Sequence, residues 1–273
     1  MKGTAKDPLD EPAMARPRGM LLTLAQGAAW LVGLAALVSI IDELFGPGSL
    51  PAAILGALAL DLLARHAGVR WNRDDESVRP GEAARRLAAG AAVALGVGGV
   101  ILAIGGVLGW FHGHGAQPSA ALAFATARAA AMAVRDELLF CGIPLATAAS
   151  ARVRPAFAQA FAALVSGAAI MLVHGVTPAA VVLAVGSGWL FAALWARDRG
   201  AWGPIGAHTA WLLLLGSVLH GGLFDLDWNN GELVTGAHAS GAPAWLAGMV
   251  LVGVGLVVPR IPWPGARARG DAS

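Results

Sequence analysis

Apolar runs of about 17–31 residues, cut by short polar interruptions, follow one another along almost the whole chain. They fall at 20–41, 48–64, 88–111, 119–149, 156–176, 179–196, 203–223 and 243–259. About 20 apolar residues carry an α-helix across roughly 30 Å of hydrocarbon. A lipid-facing segment must also satisfy its own backbone, which a helix does. The pattern therefore predicts an all-α fold, a polytopic membrane helix bundle of about eight transmembrane helices. The fourth run is long enough to be tilted or broken. Residues 1–19 and 261–273 read as disordered tails flanking a transmembrane domain at 20–260. The first run, at about 22 residues, is too long for a signal-peptide core and has no evident small-residue cleavage site, so it reads as a retained span.

The polar interruptions carry a second pattern. Lys2, Lys6, Arg16 and Arg18 precede the first run, while Asp42 and Glu43 follow it. Six arginines from Arg65 to Arg86 follow the second run, Arg152 and Arg154 the fourth, Arg197 and Arg199 the sixth, and Arg260, Arg267 and Arg269 the eighth. The intervening loops lack Lys and Arg, and the one after the seventh run holds Asp225, Asp227 and Glu232. Basic loops stay cytoplasmic, so both termini are expected there. Arg128, inside the fourth run, is left unexplained by this rule.

Composition agrees with a membrane protein. The chain is 57% hydrophobic and 13% charged, against about 25% charged in soluble domains. A formal charge of +2, with the basic residues in loops, excludes a nucleic-acid partner. The single cysteine, Cys141, leaves no intramolecular disulfide and no CxxC site. There is no HExxH, so zinc in that form is unsupported, and neither a metal nor a cofactor is predicted. No internal repeat is evident. Small residues in "AAGAAVALGVGGV" should let helices approach closely.

The candidate chemistry begins with "AVRDELLFCG", residues 133–142, where Arg135, Asp136 and Glu137 sit side by side within the fourth run. One charge at that depth costs about 2.5–3.5 kcal/mol. The group is open to three readings: a structural ion-pair cluster, a proton or ion pathway that could also use Asp61, or a catalytic site. Arg135 could offset one carboxylate. His174, ending "FAALVSGAAIMLVH", and His208, in "GPIGAHTAWLLLL", add polar groups at membrane depth. A carboxylate beside a histidine can activate water, and a further polar group can hold an oxyanion. His112 and His114 read as exposed loop residues. The polar stretch 220–232, starting with His220, reads as a solvated loop or a substrate-entry rim.

These segments resemble the CPBP family of glutamic-type intramembrane endopeptidases, which includes the CAAX proteases and bacteriocin-processing proteins. "DELLFCG" resembles the family's EExxxR motif followed by Gly. "IMLVH" resembles FxxxH, with Ile170 at the aromatic position and His174 as the histidine. "GWLFAALWARDRGAWGPIGAHTAW" resembles the approach to HxxxN, with His208 as its histidine. The resemblance places a CPBP-like core at about 119–223. It implies hydrolysis of a peptide bond in a membrane-associated protein or peptide, in a bacterial inner or cell membrane. Carried over position by position, Asp136 and His174 would activate water, Glu137 would support them, and His208 would face the oxyanion. An inactive binding or immunity protein of the same fold is the alternative, and a transporter the third.

Three positions depart from the motifs. Asp136 stands for the first Glu, Cys141 for the Arg, and Leu212 for the Asn that would follow His208 by one turn. Leu212 donates no hydrogen bond, and one such donor is worth about 3–4 kcal/mol in a transition state. Depth is a further constraint. In ideal helices His174 lies about 30 Å from Arg154 and His208 about 14 Å from Arg199, so a tilt or a break is needed to bring them together.

Overall fold

The computed structural model describes residues 17–72, 78–117, 119–173 and 175–261. The predicted tails fall almost wholly outside these, as does His174. Helices dominate: α1 (Pro17–Phe45), α2 (Leu50–Ala64), α3 (Pro80–Val107), α4 (Ala120–Asp136), α5 (Ile143–Ser150), α6 (Pro155–Ile170), α7 (Pro178–Asp198), α8 (Trp202–Leu213) and α9 (Gly241–Val257). Two π-helical segments, Glu137–Gly142 and Leu214–Val218, follow α4 and α8. Strands β1 (Phe111–Gly115) and β2 (Phe224–Trp228) pair as an antiparallel ribbon.

This corrects the predicted count. Among the described residues, four helical stretches are long and apolar enough to cross a membrane, not about eight: Gly19–Phe45, Pro80–Val107, Pro178–Asp198 and Gly241–Arg260. They make this an integral membrane protein. The reason is geometric. At 1.5 Å per residue, the 15 residues of α2 span about 22 Å, the 16 of α6 about 24 Å and the 12 of α8 about 18 Å, all short of about 30 Å. Apolar runs overcount helix length because apolar residues also build turns: Met171, Leu172 and Val173 follow the end of α6. The fold is not purely helical either. "FHGHG", read as loop, is β1, with His112 opposite Asp227 and His114 opposite Asp225.

The fourth run is broken, and the sequence explains where. Pro144 has no N–H to return to Phe140, and its ring crowds that carbonyl. The helix widens ahead of it, and the Ile143 N–H reaches five residues back to the Leu138 carbonyl. The α8 run widens in the same way, with the Leu219 N–H bonding the Leu214 carbonyl at 3.1 Å.

The arginine-bearing connections gather at one end. The Ala201 N–H bonds the Trp71 carbonyl at 2.9 Å, Asn72 bridges Gly200, and Arg86 Nη1 donates to the Asp198 carbonyl at 2.9 Å. At the other end, the Asn229 N–H bonds the Trp110 carbonyl and Thr177 Oγ1 donates to the Ala239 carbonyl. The α1–α2 turn sits below that second end. Arg128, eight residues and about 12 Å into α4, donates to the Gly48 carbonyl in this turn at 3.4 Å. The basic residue that the loop rule left over therefore caps a recessed turn.

Close helix crossings hold the centre. A Cβ on Gly206 of α8 would strike the Leu87 carbonyl oxygen of α3, and one on Gly90 of α3 would strike the Gly203 carbonyl oxygen of α8. Two backbones meeting over glycine is the small-residue packing of membrane helices. It fixes α8, and His208 with it, against α3. Outward, Leu21, Leu22, Val32 and Leu44 of α1 and Val107 and Leu108 at the end of α3 are exposed apolar side chains, as a lipid-facing rim requires.

Candidate functional site

Two clusters form where α4 passes into its π-helical segment, and consecutive residues serve different ones. The first is an ion-pair network. Arg135 Nε donates to Asp136 Oδ1 at 2.7 Å, and Arg135 Nη1 lies 3.3 Å from both carboxylate oxygens of Asp42 on α1. The Arg135 stem packs over Gly56 of α2, where a Cβ would lie 2.9 Å from its Cδ. Asp42, read from sequence as a loop residue, is thus a helical partner of a buried arginine. A buried cation needs such partners, because stripping its water costs several kcal/mol.

The second cluster is built on Glu137, only 1% exposed. Its Oε1 lies 2.8 Å from His208 Nδ1, and its Oε2 accepts from Trp195 Nε1 at 2.9 Å. Phe191 stacks on the His208 ring, with centroids 4.6 Å apart and planes at 21°. Phe191 and Trp195 are four residues apart on α7 and so share a face. One grips the histidine and the other the carboxylate. An ionised carboxylate only accepts hydrogen bonds, so with Glu137 in that form the shared proton would sit on Nδ1 and leave Nε2 for other chemistry. Cys141, four residues after Glu137, is buried in the same π-helical segment.

Of the four residues predicted for the site, the structure brings Glu137 and His208 into contact. Asp136 is adjacent in the chain, with Oδ1 engaged by Arg135. His174 lies outside the described residues. Leu212, one turn beyond His208, packs against the apolar core. Sequence reasoning missed Trp195 and Phe191: in a chain with 10 Trp and 8 Phe, nothing marks these two. Among the described residues no group of three or more His, Cys, Asp or Glu could hold a metal ion.

The family model described as type II CAAX prenyl endopeptidase Rce1-like matches residues 116–214. That stretch runs from the start of α4 to the end of α8 and contains both members of the Glu137–His208 pair. An Rce1-like domain occupies this part of the chain. No curated protein and no solved structure matches the chain. The match covers about a third of the chain and likens that part, at the family level, to the CAAX-type endopeptidases.

Proposed function

We propose that the protein is an intramembrane endopeptidase that hydrolyses a peptide bond of a membrane-associated protein or peptide. The observation that supports this most is the Glu137–His208 pair, buried on the Rce1-like domain and gripped from α7 on both sides. Both oxygens of Glu137 are occupied, which suits a positioning residue rather than the base that meets water. In this reading Asp136 and His174 activate the water, Asp136 through the oxygen that Arg135 leaves. The water oxygen attacks the peptide carbon and its proton passes to the base. His208, oriented by Glu137 through Nδ1, faces the oxyanion, and the proton taken from water then passes to the leaving amine. Both termini lie on the cytoplasmic side of a bacterial membrane.

Leu212 and Cys141 favour a second reading, an inactive binding or immunity protein of the same fold. Leu212 supplies no donor beside His208, and Cys141 no guanidinium. One experiment separates the two readings. The purified protein in lipid is incubated with membrane proteins of its host, and new peptide ends are read by mass spectrometry, with and without a strong chelator. Hydrolysis without metal predicts ends that persist with chelator and vanish in His174→Ala and His208→Ala. Identical ends in wild type and both variants would refute the protease reading. Leu212→Asn is expected to leave cleavage unchanged or raise it, because it restores a donor one turn from His208.

A further inference from the structure

Among the described residues, the buried charged side chains are Arg135, Glu137 and Asp198. The first two belong to the clusters above, and Asp198, the last residue of α7, does not. It completes a stripe. Phe191, Trp195 and Asp198 are spaced i, i+4 and i+7 and so share one face of α7. Phe191 stacks on His208, Trp195 bonds Glu137, and Asp198 reaches the first turn of α8. There the Gly203 N–H hydrogen-bonds its carboxylate, and a Cβ on Gly203 would strike Oδ2. The first four N–H groups of a helix have no partner within it. Ala201, at the N-cap of α8, has no side chain that could accept one. Asp198 takes that place from the preceding helix, and its charge suits the positive end of α8.

The joint is fixed from other sides as well. Arg86 of α3 donates Nη1 to the Asp198 carbonyl at 2.9 Å, and Arg86 and Arg197 offset the buried charge. Arg199, the next residue, has φ 51°, in the left-handed region that side chains other than glycine rarely adopt. Such a residue persists where its surroundings over-determine it. We infer that Asp198 is a positioning residue for the Glu137–His208 pair: it fixes the start of α8 to the stripe of α7 that carries Phe191 and Trp195, and so sets where His208 stands against Glu137. It acts through α8, which the stripe then holds at two points, Gly203 and His208. The catalytic meaning of this role rests on the protease reading, whereas the placement of His208 does not.

The test uses the full chain in micelles and reads two signals by NMR: exchange of the Gly203 amide and the ring nitrogens of His208, the latter assigned by their loss in His208→Ala. Wild type is expected to protect the Gly203 amide. Exchange as fast as that of an amide without an acceptor, a measurement needing no variant, would overturn the inference. Asp198→Ala should speed that exchange about fivefold, the loss of one cap, and should move the His208 Nδ1 resonance. Asp198→Asn keeps an acceptor without the charge, so both signals should stay near wild type. Thr177→Ala removes the cap at the opposite end of α7, where Thr177 Oγ1 accepts from the Ala180 N–H; it should lower stability and leave the His208 signal in place. An unmoved His208 resonance in Asp198→Ala, or an equal shift in Asp198→Asn or Thr177→Ala, would overturn the inference. Where wild type cuts a peptide, Asp198→Ala should lower kcat roughly 10–100-fold with KM within about twofold, and an unchanged kcat would also overturn it. A wild type that cuts nothing would count against the protease reading, and the two NMR signals would still decide the placement of His208.

Discussion

Trp195→Phe isolates the support given to Glu137. The substitution keeps a flat apolar ring on α7 but removes the N–H that Oε2 accepts at 2.9 Å. Glu137 is 1% exposed, so water has no ready route to replace the lost donor. A hydrogen bond to a charged group is worth about 1.5–3 kcal/mol. Trimming an indole to a phenyl in a well-packed place adds about 1 kcal/mol. The expected loss is therefore about 2.5–4 kcal/mol. Reversible unfolding in mixed micelles measures it, and a double-mutant cycle with Glu137→Gln separates the two parts. An amide can accept from one neighbour and donate to the other, so the charged part should shrink and a coupling of about 1–2 kcal/mol should remain between the two positions. A loss below about 0.5 kcal/mol, or the same loss in both backgrounds, would refute the claim that the indole holds the carboxylate.

Other parts of the fold give separate tests. Arg135→Met should cost about 2–4 kcal/mol in the same unfolding assay, less than a fully buried pair because Asp42 is 26% exposed; adding Asp136→Asn should recover part of it, and no recovery would remove Asp136 from the network. Gly206→Val forces α8 off the Leu87 carbonyl and should cost about 2–3 kcal/mol, whereas Gly96→Val on α3, where a Cβ meets nothing within 4 Å, should stay within about 0.5 kcal/mol. Equal effects at the two glycines would sink the close-crossing explanation.

Much of this arrangement was legible in the chain. The three charges at 135–137 announce a site because charge is expensive among apolar residues, and the loop arginines mark one end of the molecule. What the charges do individually was not legible. Successive residues on a helix point about 100° apart, so Arg135 and Glu137 meet different partners, and those partners, Asp42 for the one and Trp195 and His208 for the other, come from three other helices. The helix count failed for a related reason. Hydropathy records whether a residue tolerates lipid, and Met171, Leu172 and Val173 tolerate it in a turn as well as in a helix. Pro144 was the visible sign of the break in the fourth run, since its missing N–H removes one rung of the ladder. Arg128 could not be placed from sequence, because its partner is a backbone carbonyl in a turn recessed below the end of α4.

The central claim is that Glu137 and His208 act as one unit in peptide hydrolysis. It is tested most directly by comparing the cleavage rates of Glu137→Gln, His208→Ala and the double variant on a peptide that wild type cuts, each protein first checked for folding. A carboxylate that fixes a histidine's protonated nitrogen is worth about 10⁴-fold in rate where the pair is catalytic. Each single variant is expected to lose about 10³–10⁴-fold, and the double variant no more than the worse single one, because parts of a unit are not additive. Wild-type cleavage by folded Glu137→Gln, or losses that multiply in the double variant, would contradict it.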